Sequence, residues 1–227
     1  FAGLEGLRRK TQDLRLGQAG LVRVAASVPP AMSLLPDILA SYRARYPDVL
    51  LRSHVAPIGS LVALLRAGDA ALAMAMDDQM TPDISVEHLG VTTFCCLLPK
   101  THPLAERESV SFADLQGQTV ISYRAPTRPR EELDQAARKK GLVFSAQLEI
   151  EVSISAVGFV QAGLGVAVVD DLLPWKQFEG VTTRPLQDSP DLPLSLLSLA
   201  GKTLSRAEEG MRDEIRKLCA SRLPARP

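Results

Sequence analysis

The stretch that most constrains the fold runs from Leu21 to Val49: a short apolar run, two adjacent prolines, then apolar residues at helical spacing. Leu21, Val22 and Val24 to Ala26 suffice for one buried strand. Pro29 and Pro30 follow. Proline has a fixed φ and no N–H, so it suits the first turn of a helix, where that N–H has no partner. Leu34, Leu35, Ile38, Leu39 and Tyr42 then form one stripe, and Pro47 ends the helix. Ser27 stands at the N-cap position, where a hydroxyl accepts from a free backbone N–H. A strand running into a helix N-terminus also leaves unpaired N–H groups, a seat for a carboxylate. Capping alone and anion binding are both open for Ser27.

The same rhythm continues. Val49 to Val55 reads as a second strand. Ser60 reads as the cap of a helix that turns Leu61, Leu64 and Leu65 inward, with Gly68 at its C′ position. Ala71 to Met76 reads as a third strand, and β-α-β-α-β predicts a parallel sheet with right-handed crossovers. Asp83 to Leu89 reads as a loop. Thr93 to Leu98 is a continuous apolar strand, interrupted from Pro99 to Pro103, where the chain is expected to leave its first unit. Ser111 and Asp114 resemble a short capping box ahead of Leu115.

A second α/β unit follows. It reads as strand Val120 to Tyr123, turn Arg124 to Pro129, helix Arg130 to Lys140, strand Leu148 to Val152, helix Ser153 to Ala162 and strand Gly165 to Val169. Asp170 and Asp171 close that strand. A return to the first unit is expected between Val181 and Leu199. A last helix starts at Ser205, with Glu208 completing a capping box and Met211, Ile215 and Leu218 buried. Two α/β units joined by crossing strands imply a ligand cleft between them, at the C-terminal ends of strands.

Composition narrows the function classes. Twenty-six basic and 26 acidic residues cancel, so nothing marks the chain itself as a nucleic-acid binder. No apolar run reaches the roughly 18 residues that a membrane span needs. No signal peptide is visible at Phe1, and the absence of a starting methionine suggests a fragment or a processed chain. Cys95 and Cys96 are adjacent in a strand and point to opposite faces, poorly placed to bridge each other; with Cys219 they suggest a reducing, cytoplasmic setting. His54, His88 and His102 lack metal-ligand spacing, and no metal or cofactor is expected. There is no Gly-rich phosphate loop, no nucleophile elbow and no acid–base pair with histidine, which argues against an enzyme.

Residues 1–16 read as a helix with Leu4, Leu7, Thr11 and Leu14 on a heptad-like seam. It is too short to stand alone as a coiled coil. A surface helix and the end of a longer dimerisation helix are both open from the spacing.

The order of motifs resembles the effector-binding domain of LysR-type transcriptional regulators. The matching pieces are Leu35-Pro36, Tyr46-Pro47-Asp48-Val49, Leu65-Arg66-Ala67-Gly68-Asp69, His102-Pro103-Leu104-Ala105, Asp114-Leu115, and Val160-Gln161-Ala162-Gly163-Leu164-Gly165-Val166-Ala167. The resemblance implies an α/β fold of two Rossmann-like subdomains with a ligand cleft between them, of the type 2 periplasmic-binding-protein kind. It implies an organisation of linker helix to residue 20, subdomain I at 21–98 plus about 191–221, subdomain II at 99–190, and a tail at 222–227. It also implies an N-terminal winged helix-turn-helix domain outside this sequence. The whole protein would be a cytoplasmic homodimer or homotetramer that meets DNA only through that domain. A periplasmic solute-binding protein is the rival on the same fold, but it needs a signal peptide.

Within the family, Asp13-Leu14-Arg15 with Gly17, and Val168-Val169-Asp170, look most like the branch that senses amino acids and opines. The resemblance implies that Ser27 contacts the effector carboxylate. Where another hydroxyl or amide often stands, this chain has Pro29 and Pro30, which shifts weight to backbone N–H groups. A second contact is implied near Ile58 to Ser60, with its hydroxyl displaced to Ser60. Asp170 is the candidate for an amino or guanidinium group, with a plain loop as the alternative. Ser122, Tyr123, Thr127 and Arg128 are candidates for the opposite wall; Arg128 also reads as solvated surface. Ser153 and Ser155 read as helix caps.

Overall fold

The computed structural model describes residues 20–223. The opening helix expected over residues 1–16, with its seam, and the tail from residue 224 lie outside the described residues. The chain divides into two compact units. One takes the chain up to Gly90 and again from Leu194; the other is Val91–Pro193.

The first unit opens with β1 (Gly20–Ala26), which passes through Ser27 into a short helix, α1 (Val28–Ser33). The apolar stripe of this region predicted one helix. The structure has two, because α2 (Leu35–Arg45) starts afresh after Leu34. Pro36 is the reason. It has no N–H for the carbonyl of Met32, and its ring crowds that carbonyl. Then come β2 (Val49–Val55), α3 (Ile58–Ala67) and β3 (Leu72–Ala75). The α3 helix ends on Gly68 at φ 75°, a left-handed residue at its C-terminus. The residues expected as a loop from Asp83 form instead the start of a long strand, β4 (Ile84–Thr92). Ile84 and Val86 alternate with Ser85 and Glu87 and pack on the α3 side of the core.

The passage to the second unit falls at Gly90 and Val91, ahead of the Pro99 break expected to mark it. β5 (Phe94–Pro99) already belongs to the second sheet. Pro99 to Pro103 ends that strand and turns the chain; His102 accepts from Leu104 N there at 3.2 Å. Ser111 and Asp114 exchange the hydrogen bonds of a capping box, Ser111 N to Asp114 Oδ2 at 2.9 Å and Asp114 N to Ser111 Oγ at 3.3 Å, but on turns rather than a helix. Next come β6 (Val120–Tyr123), α4 (Arg128–Lys139) and β7 (Leu148–Ile150). A tight 3-10 turn (Ser153–Ser155), α5 (Ala156–Gln161), β8 (Val166–Asp170) and β9 (Val181–Pro185) complete the unit. The helix expected from Ser153 therefore starts tighter and later. β10 (Leu192–Leu199) carries the chain back, and α6 (Arg206–Arg222) closes the first unit; Arg222, expected in the tail, is its last residue. Its capping box is formed, Ser205 N to Glu208 Oε2 at 2.8 Å and Glu208 N to Ser205 Oγ at 3.3 Å.

The two sheets repeat one plan. The first has the order β2-β1-β3-β10-β4 and the second β7-β6-β8-β5-β9. In each, the first three strands are parallel, and the fourth runs antiparallel to the third. The parallel expectation holds for those three strands only, since β10 and β5 come from distant parts of the chain. In the first unit Ala25, Ala73, Ala75 and Leu197 face Leu61 and Leu65 of α3. On α2, Tyr42 is buried and donates from Oη to the carbonyl of Ala207 on α6 at 2.8 Å. In the second unit Cys95, Leu97, Ile121, Ala167 and Val169 pack with Val157, Val160 and Trp175.

Candidate functional site

In the first unit the strand ends come together at Ser27. Its backbone N–H donates to the carbonyl of Met74 at 2.9 Å, and Ala56 N donates to Ala26 O at 3.2 Å. These bonds tie the ends of β1, β2 and β3 at one level. Ser27 is the N-cap of α1 in extended conformation (φ −68°, ψ 162°), yet its hydroxyl makes no capping bond. Ser27 Oγ is buried and has no hydrogen-bond partner. A hydroxyl so placed costs about 1–3 kcal/mol unless something outside the protein meets it.

The pocket of amides expected at the start of α1 does not form. Pro29 and Pro30 are buried in its first turn and have no N–H, and Ala31 N is bound to Ser27 O at 3.0 Å. Only the amide of Val28 is left. The free donors lie instead at the start of α3. Its N-cap is Pro57, not Ser60, and Ser60 is exposed in the first turn with its amide on Pro57 O at 3.0 Å. Ile58, half-buried, and Gly59 have amides without an acceptor among the described residues, and a methyl group at Gly59 would meet nothing within 4 Å.

In the second unit the expected residues separate into two groups. Tyr123 and Asp170 are joined. Tyr123 Oη donates to Asp170 Oδ2 at 2.8 Å and accepts the Asp170 amide at 3.0 Å. Asp170 Oδ1 accepts from the amides of Leu172 and Leu173 at 3.1 and 3.2 Å. Its carbonyl accepts from Trp175 Nε1 at 2.7 Å. Asp170 therefore does not stand in an open loop at the strand end. It is the last residue of β8, opposite Phe94 on β5, and is 0% exposed. Burial pushes its carboxyl above the usual carboxylate range, against the opposing effect of Ser153, Tyr123 and the two amides. The Ser153 hydroxyl is buried beside this group, short of hydrogen-bond geometry and without a partner. The sequence had suggested only a cap for it; a serine next to a strand end carries no stronger signal.

Ser122 does not line a wall. It is fully buried, and its hydroxyl donates to Val168 O on the neighbouring strand at 2.8 Å. Thr127 is the N-cap of α4 but turns its hydroxyl back to Arg124 O at 2.8 Å. Arg128 is not solvated surface. It pairs with Glu132 at 2.9 Å, one turn along α4, and both side chains are less than one-fifth exposed (17% and 16%). Arg130, passed over in the sequence, holds this corner. It bonds Asp134 at 2.9 Å and both Glu149 and the carbonyl of Tyr123 at 3.1 Å, and it lies 5.5 Å over the Phe144 ring.

Two sheets of this plan define a type 2 periplasmic-binding-protein-like fold. The chain matches the LysR substrate binding domain family over residues 15–220. It is similar to the regulatory protein NocR of Agrobacterium tumefaciens (strain T37), 25% identical over 170 residues that cover 75% of this chain and 57% of that protein. The chain thus spans little more than half the length of that curated relative. Two solved structures share the fold: the effector binding domain of QuiR in complex with shikimate (TM-score 0.80, 16% identity, 90% of this chain and 99% of that one) and the BenM effector binding domain with its effector benzoate (TM-score 0.76, 18% identity, 92% and 96%). The chain belongs to the LysR substrate binding domain family. Among the described residues no helix is long and apolar enough to cross a membrane, and no group of His, Cys, Asp and Glu has the arrangement of a metal site.

Proposed function

We propose that this domain binds a small carboxylate-bearing metabolite, amino-acid- or opine-like, and that Ser27 is the carboxylate contact. The observation that carries the reading is the buried, unpartnered Ser27 hydroxyl at the C-terminal end of a central parallel strand. Open α/β sheets take ligands at that end. The free first-turn amides of Ile58 and Gly59 supply further donors for an anion. Two relatives of the same fold were solved with shikimate and with benzoate, and both of those molecules carry a carboxylate.

The amino-acid-like class rests on the second unit. Among its described residues Asp170 is the only buried charged group. Its carboxyl is held from within, so its role toward a ligand ammonium is indirect. Tyr123, fixed by Asp170, sets the shape of that end. In a longer cytoplasmic regulator with a DNA-binding domain, binding would reach DNA through the geometry of a homodimer or homotetramer. That requires a ligand with different affinity for two states of the assembly.

The experiment is a thermal-shift screen of the domain against L-amino acids, opines and small aromatic acids. A ligand that binds only the folded state adds about 2.7 kcal/mol of stability at a hundredfold excess over Kd. Hits among amino-acid-like carboxylates support the reading. Hits confined to plain carboxylates remove the ammonium end, and silence across the panel contradicts the carboxylate assignment.

A further inference from the structure

Ser27 is not alone on its face of the first sheet. Three buried polar atoms there lack a hydrogen-bond partner: Ser27 Oγ, His54 Nε2 and Ser195 Oγ. Strand register places them. Ala25 is paired with His54 on β2, Ala26 with Met74 on β3, and Ala75 with Ser195 on β10. Ser27, one residue past Ala26, is therefore level with Ala75 and Ser195 across three neighbouring strands.

Side chains alternate along a strand, and paired residues share a face. Ala25, Ala73, Ala75 and Leu197 all belong to the core packed against α3. Ser27 is two residues beyond Ala25 in extended chain, and Ser195 two before Leu197. Both hydroxyls therefore point to the α3 face, and His54 does so through its pairing with Ala25. The residue between the two serines is Ala75, whose side chain is a single methyl. The strand spacing puts Ser27 and Ser195 roughly 10 Å apart along the sheet. The start of α3, with its free amides at Ile58 and Gly59, stands at this same sheet edge, because Ala56 is bonded to Ala26.

The cost of this row is the argument for its use. Ser195 is 0% exposed, inside the run Leu192–Leu199, where an alanine or valine would fit the pattern. A fully buried hydroxyl without an acceptor weakens the fold. Two such hydroxyls and a ring nitrogen on one face of one sheet edge go beyond scattered packing defects.

We propose that Ser195 forms a second polar subsite of the first unit, which takes a further oxygen or nitrogen function of the ligand whose carboxylate meets Ser27; His54, on β2, lies on the other side of Ser27, three strands from Ser195. This rests on the carboxylate reading of Ser27. The ligand class it selects is a carboxylate with at least one other hydrogen-bonding group, such as a hydroxy acid or an amino acid. A plain aromatic acid is disfavoured, because it would leave Ser195 without a partner.

The test uses the domain with a panel of L-amino acids, opines, shikimate and benzoate, titrated by calorimetry into wild type, Ser27→Ala and Ser195→Ala. The expected result is that a polyfunctional carboxylate binds wild type and loses about tenfold in affinity in Ser195→Ala. The same variant has an unchanged or raised melting temperature without ligand. Because the substitution removes only a hydroxyl from a core strand, it keeps the fold. A ligand weakened by Ser27→Ala but bound unchanged by Ser195→Ala overturns this inference and leaves the Ser27 reading standing. A fall in the ligand-free melting temperature of Ser195→Ala, with ligand affinity unaltered, assigns that hydroxyl to the fold and overturns it as well. No binding to wild type across the panel overturns both.

Discussion

Tyr123 and Asp170 hold each other by two hydrogen bonds, the phenol donating to Oδ2 at 2.8 Å and accepting the Asp170 amide at 3.0 Å, in a place that water does not reach. The pair locks the end of β6 to the end of β8. Burial pushes the Tyr123 phenol well above its ordinary value, and the nearby Asp170 charge adds to this, so the phenol keeps its proton and stays a donor.

The first prediction concerns pH. Burial raises the Asp170 carboxyl above its unfolded value, so the folded state holds that proton more tightly. Its contribution to stability is complete below the unfolded value and is lost as pH rises through the folded one. Urea midpoints of wild type and Asp170→Asn, measured from about pH 4 to about pH 7, read this directly. Wild type is expected to lose stability relative to the variant as pH rises. A constant difference would show that the folded carboxyl is not shifted. Asp171 shifts in the same direction, and Asp114 in the other; comparison with the variant cancels both.

The second concerns the phenol itself. Tyr123→Phe removes a donor from Asp170 Oδ2 and an acceptor from a buried amide. Leaving buried polar groups unmet costs about 1–3 kcal/mol. Chemical denaturation near neutral pH checks this. A loss well under that range would mean that another group, with Ser153 Oγ the nearest candidate, takes over the bond.

The third contrasts two glycines. Gly165 has φ 152°, and a Cβ there would lie 2.1 Å from Thr119 O. Gly165→Ala is expected to cost at least the roughly 1–3 kcal/mol of a strained backbone residue, and the clash adds more. Gly158 lies within α5, and a Cβ there would meet nothing within 4 Å. Gly158→Ala is expected to stabilise by about 0.5–1 kcal/mol. Thermal unfolding of the two variants should move in opposite directions.

Much of this architecture is written in local pattern. The strand before Ser27, the left-handed Gly68 and the Ser205 capping box each depend on residues a few positions apart, and each forms where the sequence puts it. The break at Leu34 was hidden because the apolar stripe runs straight across it, and only the missing N–H of Pro36 divides the helix. The start of β4 was hidden because Gly90 and the polar residues of Asp83 to Leu89 masked the alternation of Ile84 and Val86. The site was less legible still. Ser27 could be singled out from its place after β1, but whether its hydroxyl finds a cap depends on Pro29 and Pro30 removing the donors. Asp170 could be placed at the end of its strand, but its full burial comes from pairing with Phe94, distant in sequence. Ser195 carries no signal of its own as a single serine in an apolar strand. Its level with Ser27 exists only once β3 lies between β1 and β10.

The central claim, that the Ser27 hydroxyl holds the carboxylate of a small ligand, is tested most directly by calorimetric titration of wild type and Ser27→Ala with the strongest carboxylate hit of the screen. A charge-assisted hydrogen bond contributes about 1.5–3 kcal/mol, so the variant is expected to raise Kd by about tenfold or more. Its melting temperature without ligand should not fall, because Ser27 Oγ bonds nothing in the protein. A Kd equal to that of wild type would contradict the claim.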